Sequence, residues 1–221
     1  MLEPKKRYLQ IAFNSDISQV RRILPRIPFN ERILIEAGTP FIKEEGLAGV
    51  STIARIWRGG IVADLKTLDG AVREVSFVAA AGATAATVLG SAPAETLNLF
   101  IDVCSKSKID SMIDMLGVKE PLKVLMKLRI PPTVVVLHKG RDEEGTRGKV
   151  IEYKHINKIR SKYDVLISAA GGIDLSQARS AIFNGADIVI ANIVSPGDPW
   201  VGISSESDVE QIAKQFLDTI E

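Results

Sequence analysis

Asp64, Lys66 and Asp69 lie within six positions of one another in the stretch GGIVADLKTLDG, Gly59 to Gly70, directly after the apolar Ile61, Val62 and Ala63. Side chains two apart on a strand share a face, so Asp64 and Lys66 point the same way and Asp69 follows in the loop. Further ionisable groups close other apolar runs: Glu36 in ILIEAG, Asp114 in IDSMIDML and His138 in TVVVLH. Glu36 and Asp64 offer hard oxygen ligands suited to Mg²⁺. A metal held there polarises a ketose carbonyl and hydroxyl. Lys66, kept protonated by Asp64 and Asp69, adds a second positive charge. His138 can move a proton near neutral pH. Together these groups suit the stabilisation of an enediolate.

Each group has a plainer explanation when taken alone. Lys66 between carboxylates could be a structural ion-pair network, since buried charge does not prove function. His138 could be a hydrogen-bonded core histidine, and Glu36 a cap on a backbone turn. Chemistry becomes the better reading only if all of them meet at one rim, which depends on the elements that carry them.

Those elements alternate. Strand-like runs span Tyr8–Phe13, Arg32–Glu36, Ile61–Asp64, Ala85–Leu89, Ile109–Met115, Thr133–His138, Val165–Ala169 and Asp187–Ala191. Helical segments follow them over Ser18–Leu24, Leu47–Trp57, Arg73–Ala81, Ala94–Lys106, Pro121–Lys127, Ile156–Lys162, Leu175–Asn184 and Ser207–Thr219. The last opens with a Ser207-x-x-Glu210 capping box. The fifth strand is ambiguous, because KIDSMIDML also reads as helix. Eight strand–helix units predict a closed parallel (β/α)₈ barrel, an α/β TIM barrel of one domain over residues 1–221. The strand ends Phe13, Ala37, Lys66, Gly90, Asp114, His138, Ala170 and Asn192 recur at steps of 22 to 32 residues, which suits a barrel with little decoration.

Composition narrows the function classes. With 221 residues, 46% hydrophobic and 25% charged, the chain reads as a soluble globular protein, and its net charge of +1 gives no field for nucleic acid or membrane partners. No apolar run approaches the ~20 residues of a membrane span, and no signal-peptide pattern opens the chain; the expectation is cytoplasmic. The single Cys104 excludes an internal disulfide and reads as a small buried hydrophobe. The polar insert KGRDEEGTRGK, Lys139 to Lys149, follows the sixth strand at the barrel mouth, where it is either a mobile flap or a solvated loop. Gly171-Gly172 after the seventh strand and Asn192-Ile193 at the eighth mark the two loops whose backbone N–H groups bind phosphate in such barrels.

VADLKTLD resembles the Asp-x-Lys-x-x-Asp signature of the orotidine 5′-phosphate decarboxylase suprafamily. IEAGTPFIKEEG is similar to a segment of the 3-hexulose-6-phosphate synthases, as are YLQIAF, TVLG and AAGGI in order and spacing. The resemblance implies Mg²⁺ held by Glu36 and Asp64, with Lys66 on the enediolate. It implies a homodimer in which Asp69 reaches into the neighbour's site. It also implies interconversion of D-arabino-3-hexulose 6-phosphate with formaldehyde and ribulose 5-phosphate.

Three positions depart from that pattern. Asn14 stands where the family usually has Asp at the end of the first strand. Arg141 intervenes in the His138-x-Gly140-x-Asp142 segment and is similar to the related 3-keto-L-gulonate-6-phosphate decarboxylases. Ala191-Asn192 replaces the usual Gly-Arg, which removes a charge-assisted phosphate contact of roughly 1.5–3 kcal/mol. Lys139 and Arg147 are candidates to compensate. Arg141 motivates a decarboxylase alternative, and Asn14 with Asn192 motivates a non-catalytic binding barrel.

Overall fold

The computed structural model describes residues 2–144, 146 and 150–221. Arg147, one of the two residues considered as phosphate ligands, lies outside them. Eight parallel strands follow one another in chain order: β1 Tyr8–Phe13, β2 Ile33–Ala37, β3 Gly60–Thr67, β4 Ala85–Leu89, β5 Asp110–Asp114, β6 Val134–His138, β7 Leu166–Ala170 and β8 Ile188–Val194. Pairing of β1 with β8, from Tyr8↔Ile188 to Ala12↔Asn192, closes the sheet into a barrel. Outside it lie α1 Ile17–Ile23, α2 Thr39–Ile56, α3 Ala71–Ala80, α4 Ala94–Lys106, α5 Pro121–Leu125, α6 His155–Arg160, α7 Leu175–Phe183 and α8 Val209–Thr219. The expected (β/α)₈ TIM barrel is the observed fold. Among the described residues no helix is long and apolar enough to cross a membrane.

Alternation along each strand sorts the side chains into two cores. Leu9, Ile11 and Phe13 face outward with Ile33, Ile35, Ala86, Val88 and Ile167 into the strand–helix core. Tyr8, Ala12, Leu34, Val62, Ala85, Met112, Val134, Val136, Leu166, Ile188 and Ile190 fill the barrel interior. Both faces are therefore apolar along most of each strand, which is why the strands read as continuous hydrophobic runs. Near the C-terminal end the inward positions change character. Gln10, Glu36, Asp64, Thr87, Asp114, His138 and Asn192 continue the same inward series, so strand parity places them in one ring.

Several boundaries differ from the sequence reading. KIDSMIDML resolves as strand, its Asp110–Asp114 segment pairing with β4 and β6. A first helical segment of α2 begins at Thr39, where Pro40 fits the first turn; Gly46, at φ 57° and ψ −150°, breaks the helical backbone, and the helix expected over Leu47–Trp57 follows across that kink. α8 is capped by Asp208, whose carboxylate accepts the Gln211 N–H at 3.1 Å; the predicted Ser207–Glu210 box does not form. The Ser207 N–H is committed to the Ser204 carbonyl, which fixes Ser207 in the preceding turn. β8 runs on past Ala191, and its end pairs with a short extra strand, β9 Ile203–Ser204. Cys104 is buried as expected, and burial pushes its thiol up to about 12, which keeps it inert.

Candidate active site

A cavity of about 450 Å³ opens at the C-terminal end of the barrel, lined by the inward strand-end residues and the segment 140–144. Its centre is a chain of charges. Lys66 Nζ lies 2.6 Å from Asp64 Oδ2 and 3.1 Å from Asp114 Oδ2. Asp114 in turn meets His138 Nδ1, with Oδ2 at 2.8 Å and Oδ1 at 3.0 Å. The Leu116 N–H donates to Asp114 Oδ1 at 2.9 Å. Asp64 is fixed from both sides, Thr87 donating to Oδ1 and Thr39 to Oδ2, each at 2.7 Å.

The backbone works to place Lys66. The β3–β4 register runs Ala63↔Ala86 and then Thr67↔Val88, so β3 carries extra residues against β4. Lys66 occupies the left-handed region at φ 47°, and its N–H is held by Thr87 Oγ1 at 2.9 Å. A non-glycine residue in that conformation costs about 1–2 kcal/mol, and such strain persists where surrounding contacts enforce it. Asp64 and Lys66 do share the pocket, but by way of this irregular strand and not through a regular pleat.

Burial and charge set the protonation states. Burial pulls the Lys66 ammonium down, but Asp64 and then Asp114 outweigh it and leave the group above its ordinary range. Burial pushes Asp114 up, yet His138 and Lys66 bring it to about 2. His138 is likewise lowered by burial and raised more strongly by Asp114. Lys66 and His138 thus share the Asp64 and Asp114 carboxylates. Glu36 remains as surplus negative charge: burial first, then the Asp64 charge, push it up to about 7 despite a hydrogen bond from Gln10 Nε2.

That surplus bears on Mg²⁺. Glu36 and Asp64 stand on adjacent strands and both line the cavity. Gln10 Oε1, beside Glu36, is a buried acceptor with no partner among the described groups. Hard oxygens with excess negative charge fit a divalent cation. Among the described residues no three His, Cys, Asp or Glu side chains gather as a metal site. Two carboxylates suit Mg²⁺, which keeps open positions for water and ligand oxygens.

The structure brings Asn14, Glu36, Asp64, Lys66, Asp114, His138, Arg141, Gly171 and Asn192 to one cavity. Asn14 Nδ2 donates to Asn192 Oδ1 at 3.0 Å, so these two amides pair across the β1–β8 seam. The Arg141 guanidinium stacks over the Trp200 ring at 4.4 Å. Three residues fall elsewhere. Asp69 is exposed outside the cavity of its own chain, and within that chain Asp114, from a strand distant in sequence, is the second carboxylate beside Lys66. Ile193 is buried in the strand–helix core and paired with β9, so its backbone lies in a sheet and not in an open loop. Gly172 does not line the cavity itself; a Cβ there would meet the Glu144 carboxylate at 3.3 Å. Gln10, Thr39, Thr87 and Trp200 were not anticipated. Gln10 and Thr87 carried a signal, each being a polar inward position within an apolar strand.

Known proteins resemble this chain in sequence and in fold. The model of the orotidine 5′-phosphate decarboxylase / HUMPS family matches residues 7–194. The "Bifunctional enzyme Fae/Hps" of Methanothrix thermoacetophila is 37% identical over 212 residues, 95% of this chain and 52% of that protein. Its namesake in Methanosarcina barkeri is 36% identical over 215 residues, 96% of this chain and 52% of its own. The chain therefore spans about half the length of these relatives. Among solved structures, 3-hexulose-6-phosphate synthase from Salmonella typhimurium superposes with a TM-score of 0.83 at 21% identity, covering 96% of this chain and 98% of that one. A 3-keto-L-gulonate-6-phosphate decarboxylase from Vibrio cholerae gives 0.73 at 22% identity, covering 98% of both. At such identities these two likenesses speak for the fold. With the matched segment covering every barrel strand and the whole charged ring, the chain belongs to the orotidine 5′-phosphate decarboxylase / HUMPS family.

Proposed function

We propose that the protein is a Mg²⁺-dependent lyase of the 3-hexulose-6-phosphate synthase type. It would interconvert D-arabino-3-hexulose 6-phosphate with formaldehyde and ribulose 5-phosphate. The observation that carries the reading is the Lys66 ammonium, fixed between Asp64 and Asp114 at the cavity floor beside the His138 imidazole. An ammonium held by two carboxylates needs no reorganisation when an enediolate forms against it. His138 spends Nδ1 on Asp114, which leaves Nε2 for substrate.

In the cleavage direction, the hydroxyl proton of the departing carbon passes to Nε2 of neutral His138. The carbon–carbon bond then breaks, formaldehyde leaves, and the electron pair enters the enediolate facing Lys66. The same proton returns to carbon to give ribulose 5-phosphate. Glu36 and Asp64 would hold Mg²⁺, which supplies Lewis-acid polarisation of the ketose oxygens. Purified protein with Mg²⁺ should release formaldehyde from the hexulose phosphate; no release would end this substrate assignment.

Arg141 favours a second reading, decarboxylation of a β-keto sugar-acid phosphate, because its side chain lines the cavity and is braced by Trp200. Measuring CO₂ and formaldehyde release on the two substrates separates them. A homodimer is part of the proposal, supported by the exposed apolar Leu68, Val72 and Phe77 around Asp69. Sedimentation equilibrium should return twice the 24.0 kDa chain mass, and Leu68→Asp should shift it toward one.

A further inference from the structure

The turn after β7 is built as a cup for an anion. Gly171 and Gly172 have φ of 106° and 66°, and both are buried. Neither N–H donates to a described group. Consecutive backbone N–H groups in such a turn form a concavity that favours negative charge, and a buried donor without a partner costs about 1–3 kcal/mol. Glycine is obligatory at Gly171, where a Cβ would fall 2.0 Å from the Lys139 carbonyl oxygen. That close approach, with the Lys139 N–H donating to the Ala170 carbonyl at 3.0 Å, fixes the start of the β6 loop against the turn.

Two opposite charges converge on this cup. A Cβ added to Gly172 would lie 3.4 Å from Lys139 Nζ and 3.3 Å from Glu144 Oε2. Lys139 forms no ion pair with a described carboxylate, including Glu144. Glu144 Oε2 instead accepts the Val201 N–H from the loop after β8, at 3.2 Å in an exposed setting. Glu144 and Gly171 both line the cavity, so this turn faces the space a sugar phosphate would enter.

We propose that the Lys139 ammonium binds the substrate's phosphate over the Gly171–Gly172 turn, and that Glu144 is an internal anion which the phosphate displaces from the Val201 N–H. The inference rests on the sugar-phosphate reading above and names how that substrate is held. A doubly charged phosphate on the turn would be repelled by the Glu144 carboxylate beside Gly172, and a single exposed hydrogen bond is a weak restraint. Once Glu144 leaves, the Val201 N–H is released as one more donor to the phosphate.

Kinetics with the hexulose phosphate and calorimetry with inorganic phosphate test this on the full chain. Lys139→Ala should raise KM at least tenfold, the loss falling on KM more than on kcat, with Lys139→Arg recovering most of it. Glu144→Gln should tighten inorganic phosphate severalfold. An unchanged KM in Lys139→Ala, or weaker phosphate binding in Glu144→Gln, overturns the proposal. Phosphate binding that depends on Lys139 without formaldehyde release supports the proposal while removing the lyase reading. Formaldehyde release indifferent to Lys139 does the reverse. Circular dichroism of each variant verifies the fold, and Lys139→Arg keeps the charge as an internal control.

Discussion

Asp114 Oδ2 lies 2.8 Å from His138 Nδ1, on neighbouring strands, and that carboxylate also holds Lys66. The pair stabilises the fold over a definite pH window. Asp114 is depressed to about 2 from 3.8, so its contribution is complete above 3.8 and lost as pH falls toward 2. His138 is raised above 6.5, so its contribution is complete below 6.5 and lost as pH climbs through the folded value. Asp114→Asn should therefore destabilise most between pH 3.8 and 6.5, by about 3 kcal/mol for a broken buried pair. Urea unfolding at pH 5 and pH 9 checks this, with a smaller difference expected at pH 9.

Lys66→Ala removes the ammonium that faces the developing enediolate. Turnover should fall by about 10²–10³, the cost of losing one preorganised charge-stabilising donor. Calorimetry should still detect Mg²⁺, because Glu36 and Asp64 remain and their competing cation is gone. Loss of turnover without loss of metal binding is the expected pattern; retained turnover would remove Lys66 from the stabilisation of the enediolate.

Glu36→Gln tests the metal site. The substitution keeps size and hydrogen bonding while deleting the surplus charge, so Mg²⁺ affinity should drop at least tenfold. Chelation should abolish formaldehyde release in the unsubstituted protein, and added Mg²⁺ should restore it. Equal Mg²⁺ affinity in the two proteins would remove Glu36 from the ligand set.

Two glycines in the left-handed region separate strain from collision. Gly117, at φ 72°, has open space where a Cβ would go, whereas Gly171 would drive one to 2.0 Å from a backbone oxygen. Gly117→Ala should cost about 1 kcal/mol for conformation alone. Gly171→Ala should cost more than twice that, since the β6 loop must also move. Denaturation midpoints of the two variants give the comparison.

Strand parity made much of this site readable from the chain. A polar residue two positions beyond an inward apolar one has to enter the barrel, and this rule gathers Glu36, Asp64, Asp114 and His138. It also identifies Gln10 and Thr87 once each strand's inward face is known. The fold followed from eight apolar runs, because a strand buried on both faces has little choice of residues. Ends were less legible: Thr39–Gly46 lacks the apolar rhythm of Leu47–Trp57, and its short helix starts with Pro40 in the first turn and stops at the non-helical Gly46.

Sequence by itself determined which ionisable groups exist, their faces and the order of the strands that carry them, since these follow from side-chain type and the two-residue period. Only the tertiary structure decided who pairs with whom. Proximity along the chain put Asp69 beside Lys66, but barrel closure brings Asp114 there from two strands away. The irregular β3 then turns the ammonium between Asp64 and Asp114. The Arg141–Trp200 and Glu144–Val201 contacts likewise join loops remote in sequence, because curvature of the closed sheet, absent from any local pattern, brings those loops over one mouth.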